Sequence, residues 1–305
     1  MKTVAVLEGG WSNEREVSLM GTAEISRALD KKGYIVRRIP VTRDIFKLVN
    51  ALTPRPDVVY NGLHGPYGED GCIQGVLEYM RIPYSHSGIL ASALAMNKPM
   101  AKNIFLNAGI PCPPHQTFEK NDFRTHSRME PPYVLKPINE GSSFGISIVH
   151  NSRDPLHTGQ KAWTFSDIVM VEKYIEGREI TVSVMGNRAL GVTEIRTYNN
   201  FYDYDAKYTV GRAEHLLPAP IHPEAYEKAM SYAVQAHKVL GCRGISRADF
   251  IYEDKAGEPG KLYLLEVNTQ PGMTPLSLLP EQAAHAGIGF EELVSWIVEE
   301  ALCDG

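Results

Sequence analysis

Residues 244–274 constrain this chain more than any other stretch. Positions 244–252 read GISRADFIY and positions 263–268 read YLLEVN, both rich in apolar and β-branched residues. Between them, EDKAGEPGK is polar, with two Gly and a Pro, which predicts a hairpin with a long loop. Side chains two apart on a strand point the same way, so Glu266 and Asn268 project together just before the Pro271-Gly272 turn. Setting Ile251 opposite Leu264 brings Asp249 opposite Glu266 and Arg247 opposite Asn268. Directly opposed residues share a face. Three oxygen donors beside a guanidinium suit Mg²⁺ arriving together with phosphate. The alternative is an exposed polar face on an ordinary hairpin; charged sheet faces are common, but this set in mutual register is less so.

Composition excludes several classes. The chain has 305 residues, 43% hydrophobic and 22% charged, ordinary for a globular protein and long enough for about two or three domains. A net charge of -5 without a basic run argues against nucleic-acid binding. Cys72, Cys112, Cys242 and Cys303 are scattered with no CxxC pair, so they read as reduced thiols, outside any zinc or disulfide framework. No apolar stretch approaches a membrane span, and the apolar run 3–7 is too short for a signal-peptide core. The expected location is the cytoplasm.

Along the chain, residues 1–97 alternate strand and helix signals: a strand at 4–7, a helix through Lys32, and a strand at 57–60. That order predicts a parallel α/β unit, with ligands at the strand C-termini. Residues 98–176 carry strands at 133–136, 146–149 and 168–172. Residues 177–305 carry a strand at 179–185, a helix at 224–240, the hairpin and a final amphipathic helix. In that helix Phe290, Leu293, Val294, Ile297, Val298, Ala301 and Leu302 form one stripe, read as core packing or in part as a subunit contact.

Lys136 opens the segment KPINEGSSFG, which joins two predicted strands. Its Gly and Ser residues permit close backbone approach and supply N–H and hydroxyl donors for phosphate, with Lys136 adding charge. Neither GxxxxGK[ST] nor GxGxxG occurs there. Taken alone, GSSFG is as readily a solvated turn; the Mg²⁺-type face gives it weight. Farther on, Glu172-Lys173-Tyr174-Ile175 ends a strand before Gly177. It can offer backbone groups to an adenine edge, with Glu172 or Glu179 accepting from ribose hydroxyls; a surface-charged hinge is the other reading.

The motifs WSNEREVSLMG, HGPYGEDGCIQG, KPINEGSSFG, FYDYDAKY, SRADF and LLEVNTQPGMT occur in this order. Together they resemble the D-alanine–D-alanine ligase family of the ATP-grasp superfamily, from the first strand to the last helix. The resemblance implies a mixed α/β and α+β fold with three-domain ATP-grasp architecture and an N-terminal parallel α/β domain. Its boundaries are expected at 1–97, 98–176 and 177–305. It further implies a homodimer, two Mg²⁺ ions with Mn²⁺ as an acceptable substitute, and ATP as co-substrate. In the implied reaction the γ-phosphate of ATP activates one D-alanine carboxylate as an acylphosphate, and the amine of a second D-alanine displaces it. The dipeptide then serves peptidoglycan synthesis. Phosphorylation supplies the leaving group that a carboxylate lacks.

By the same resemblance, Glu14 meets the ammonium of the first D-alanine and His64 lies near its carboxylate. Lys98 and Lys136 bind phosphate with Ser142 and Ser143, and Glu172, Lys173, Ile175 and Glu179 contact adenosine. Lys207 reaches phosphate from a closing loop, and Tyr208 joins a network with Ser142 and Glu14. Arg247 neutralises the transferred phosphoryl group and the oxyanion, helped by the Gly272 N–H. Asp249, Glu266 and Asn268 ligate metal; Ser277 and Leu278 receive the second carboxylate. Simple alternatives exist: Glu14 as helix-dipole complement, His64 as a satisfied loop histidine, and 201–208 as a surface loop with buried tyrosines. Departures from the family pattern are Asp205 in place of Glu, Pro66-Tyr67, Pro275-Leu276 and a short 151–167 segment. The competing functions are D-Ala–D-lactate or D-Ala–D-Ser ligation, favoured less because of Tyr208, and a non-catalytic nucleotide-binding regulator.

Overall fold

β1 (Thr3–Gly9) is buried on both faces, as a central parallel strand must be. Val4 and Val6 enter one core, while Ala5 and Leu7 enter another. β2 (Ile35–Val41) and β3 (Val58–Asn61) flank it in parallel, in the order β2-β1-β3. α1 (Arg15–Lys31) covers the first face through Ile25, Ala28 and Leu29. α2 (Ile45–Ala51) and α3 (Cys72–Tyr79) cover the second through Leu48, Ile73 and Leu77. The parallel unit expected from the sequence is present. This computed structural model describes residues 1–119, 122, 129–141, 145–151, 164, 166–197 and 211–304.

α4 (Ile89–Met96) and α5 (Lys98–Asn107) lead to an antiparallel sheet of order β4-β7-β5-β6. Its strands are β4 (His115–Glu119), β5 (Tyr133–Pro137), β6 (Ser147–Val149) and β7 (Ile168–Lys173). A second antiparallel sheet has the order β10-β9-β8-β11-β12. It comprises β8 (Arg178–Met185), β9 (Arg188–Thr197), β10 (Ala213–Leu216), β11 (Ile245–Glu253) and β12 (Lys261–Asn268). α6 (Pro223–Val239) backs this sheet with a stripe of Ala225, Ala229, Ala233 and Ala236. Small side chains at helical spacing let the helix approach Ile180, Val182 and Phe250 closely.

The hairpin is present, with one correction. Arg247 pairs with Asn268 and Asp249 with Glu266, but Ile251 pairs with Tyr263 and not with Leu264. A β-bulge between Asp249 and Phe250 leaves Leu265 as the extra residue on β12. The cause is apolar phasing. Leu262 and Leu264 enter the core, and so does Val267; strict alternation would then send Glu266 inward with Leu264. The bulge shifts the phase by one, so Leu265 and Glu266 both face the cleft.

α7 (Leu278–His285) and α8 (Phe290–Glu299) bring the chain back to the first sheet. Leu293, Val294, Ile297 and Val298 pack there against Val4, Val6 and Ile25, so the stripe is core. Its last two members lie beyond the helix. After Glu300 the chain runs beside Tyr84, whose N–H donates to Leu302 O at 3.4 Å, and Leu302 turns outward. Among the described residues no helix is long and apolar enough to cross a membrane.

Candidate active site

Two cavities meet at Glu266. One, of about 710 Å³, lies between the two antiparallel sheets, with Lys136, Glu172, Lys173, Ile175 and Glu179 on its walls and Asp249 and Glu266 at its end. The other is lined by Glu14, His64, Lys98, Arg247, Asn268 and Gly272, again with Glu266. A ligand spanning both would place its charged end at the hairpin face. Ser142, Ser143, Lys207 and Tyr208 lie outside the described residues, as does the departure Asp205.

The hairpin face is internally compensated. Arg247 donates from Nε to Asp249 Oδ1 at 2.9 Å and from Nη2 to Oδ2 at 2.8 Å. Thr181 Oγ1 donates to the same carboxylate at 2.6 Å. Lys98, almost fully buried, lies 3.2 Å from Glu266 Oε2 and donates to Glu140 O at 2.5 Å. Each acidic candidate ligand therefore faces a cation that phosphate would also attract. Among the described residues no three His, Cys, Asp or Glu side chains gather as a metal cluster. Two carboxylates and one amide instead fit a hard divalent ion that completes its shell with phosphate and water.

Glu14 is the N-cap residue of α1, yet its side chain accepts no capping bond. Buried, it faces the second cavity, so dipole complementation does not account for its position. Gly65, at φ +71°, and Gly141 pack against it: a Cβ on either would come within 2.8 and 2.9 Å of Glu14 Oε2, respectively. His64 is buried with Nδ1 2.8 Å from Glu69 Oε1. Burial acts to lower its pKa, but the Glu69 hydrogen bond and charge, with Glu14 adding, raise it above the ordinary value.

Lys136 Nζ lies 2.5 Å from Glu172 Oε1, and Lys102 Nζ lies 2.7 Å from Glu172 Oε2. Lys102 has no exposed surface. Burial alone would raise the Glu172 pKa; the charges of Lys102 and Lys136 outweigh it and hold the carboxyl below its usual range. Two cations share one carboxylate, leaving excess positive charge at the cavity wall. Ser277 is the N-cap residue of α7, with its Oγ accepting from Thr274 N at 2.9 Å and lying close to Gly272. The Leu278 side chain is buried with Ile195, and the Ser277 N–H donates to Thr274 O at 2.9 Å.

Sequence reasoning missed Lys102, Glu69, Thr181 and Gln270. Lys102 was detectable, because it stands four residues after Lys98 and shares its helix face. Also missed was Glu194, held by Arg178 and by Arg196 Nε at 2.8 Å on the wall of the larger cavity. Nothing in the spacing of that trio announces it.

A family model described as the D-ala D-ala ligase C-terminus matches residues 104–299, and one described as its N-terminus matches residues 45–87. A D-alanine–D-alanine ligase of Agrobacterium fabrum is 53% identical over 305 residues, covering 99% of this chain and 98% of its own. One from Rhodospirillum rubrum is 51% identical over 304 residues, covering 99% of each. The D-alanine–D-alanine ligase from Bacillus anthracis complexed with ATP superposes with a TM-score of 0.82 at 33% identity, over 98% of this chain and 96% of that one. The VanG D-Ala:D-Ser ligase from Enterococcus faecalis gives the same TM-score at 29% identity, over 98% of each chain. With this agreement along its whole length, the chain belongs to the D-alanine–D-alanine ligase family.

Proposed function

We propose that this enzyme ligates two D-alanines at the expense of ATP, through an acylphosphate, for peptidoglycan precursor synthesis. The observation that carries this reading is the register of Arg247, Asp249, Glu266 and Asn268 at the junction of a large cavity and a small charged one. Nucleotide occupies the larger cavity, with adenosine toward Glu172, Lys173, Ile175 and Glu179. Its phosphates reach Lys136 and Lys98.

Asp249, Glu266 and Asn268 would hold Mg²⁺, two ions in the family pattern, and the metal would neutralise phosphate charge when bound. Arg247 and Lys98, paired here with Asp249 and Glu266, would turn to phosphate oxygens once those carboxylates held the metal. Charge is thereby kept balanced in a buried site. Glu14 holds the ammonium of the first D-alanine, and a protonated His64 attracts its carboxylate. Arg247 and the Gly272 N–H then stabilise the tetrahedral oxyanion formed when the second amine attacks. The second carboxylate is received at Ser277 and Leu278. A cytoplasmic homodimer is the expected state.

The test is ADP release with D-alanine, D-lactate and D-serine offered in turn as second substrate, with products identified by mass spectrometry. D-alanyl-D-alanine is the expected main product. Preferential D-Ala–D-lactate or D-Ala–D-Ser formation at neutral pH overturns the substrate assignment. ATP binding without ADP release under saturating D-alanine and Mg²⁺ overturns catalysis itself.

A further inference from the structure

Gln270 lies two residues beyond Asn268, at the start of the Pro-Gly turn, and only 2% of its surface is exposed. Its backbone N–H donates to Asn268 Oδ1 at 2.7 Å, which turns that amide's oxygen in a set direction. Its side chain leaves the antiparallel sheet and enters the loop that follows β3. There Nε2 donates to Leu63 O, and Oε1 accepts from Asn61 Nδ2 at 2.8 Å. Asn61 Nδ2 also donates to Gly68 O at 2.9 Å, and Asn61 Oδ1 accepts from Leu63 N at 3.2 Å. Leu63 and Gly68 bracket His64 and Gly65, so the loop is gripped at both ends.

We propose that Gln270 is a positioning residue that ties the metal-ligand strand to the His64 loop and so fixes the first D-alanine site relative to the phosphate end. This rests on the assignment of His64 to the first D-alanine carboxylate. The physical basis is the cost of leaving buried polar groups unpaired. Without Gln270, Leu63 O loses the bond that holds it from the ligand strand. The loop then shifts against Asn268 and Gly272, which belong to a different sheet and its following turn. Transfer geometry of this kind tolerates little displacement. Adenosine contacts lie in the other cavity and are untouched.

The experiment uses the full chain, with initial rates over D-alanine concentration resolving its two KM values, and calorimetry of Mg²⁺-ATP binding. Gln270→Met keeps the bulk and removes both side-chain bonds. The KM for the first D-alanine is expected to rise roughly ten- to hundred-fold, the range that one unpaired buried group corresponds to, with ATP affinity unchanged. An unchanged first-site KM, or equal losses in D-alanine and ATP affinity together with a lowered melting temperature, overturns the proposal. His64→Gln runs in parallel. If it raises the first-site KM while Gln270→Met does not, the coupling is wrong and the His64 assignment stands. If His64→Gln leaves that KM unchanged, the assignment fails and takes the proposal with it. Gln270→Glu keeps the oxygen for Asn61 and loses the donor for Leu63. It replaces the Met variant should that one not fold, with the same rise expected and an unchanged KM overturning the proposal.

Discussion

Replacing Glu172 by Gln probes the charge balance of the larger cavity's wall directly. In the native chain its carboxylate lies 2.5 Å from Lys136 Nζ and 2.7 Å from Lys102 Nζ. Lys102 is inaccessible to water, and its other contact is Leu264 O at 3.2 Å. The amide leaves the two cations without this counter-charge, and no other carboxylate pairs with them among the described residues. Breaking a buried ion pair in this way costs about 3–5 kcal/mol, because an uncompensated charge remains. Lys102→Met alone behaves differently, since Glu172 keeps Lys136 and the desolvation of one ammonium is relieved. In the Glu172→Gln background, Lys102→Met removes a stranded cation and is expected to recover about half of the loss. Urea unfolding of the wild type, both single variants and the double variant at pH 7.5 measures the coupling. A loss under about 1 kcal/mol in Glu172→Gln, or further destabilisation by the second substitution, refutes the reasoning. The pH dependence supplies a sign. The folded-state pKa of Glu172 is depressed, so its stabilisation is present above the ordinary carboxylate value near about 4.3 and is lost as pH falls through the depressed value. Glu172→Gln lacks this acid limb.

The other expectations concern the charged cavity. Arg247→Ala should cut dipeptide formation by roughly 10³-fold or more while ATP still binds, as titration calorimetry and product assays can show; retained turnover would remove Arg247 from the transfer step. Glu266→Gln should weaken Mg²⁺-ATP far more than metal-free nucleotide, and equal losses would count against a ligand role. The raised pKa of His64 predicts that first-site D-alanine affinity holds below the ordinary histidine value of about 6.5 and falls as pH rises through the higher folded value. Glu69→Gln should move that fall to lower pH; an unmoved KM–pH profile would show that Glu69 does not set it.

Much of the candidate site was legible because its signals are local. Arg247, Asp249, Glu266 and Asn268 fall on two short strands whose pairing follows from turn composition, and the two key pairs stand in the expected register. Lys136 was legible in the Gly- and Ser-rich segment it opens, whereas Glu14 and Lys98 were expected only from the family resemblance. The bulge at Leu265 was not, because it arises from a conflict that exists only once Leu264 and Val267 have a core to enter. The same holds for Leu302, whose place in an apolar stripe was overridden by the path beside Tyr84.

By itself, then, the sequence determined the parallel unit, the antiparallel hairpin and which residue types could meet phosphate and metal. These depend on side-chain period and turn chemistry, which act over a few residues. Only the tertiary structure decided that Lys102 and Lys136 share Glu172, that Lys98 and Arg247 pair with Glu266 and Asp249, and that Gln270 reaches the His64 loop. The Gln270 bond joins residues 207 positions apart in the chain. A bond of that separation forms because separate sheets bury their polar groups against one another, and no local pattern encodes which partner each group will find.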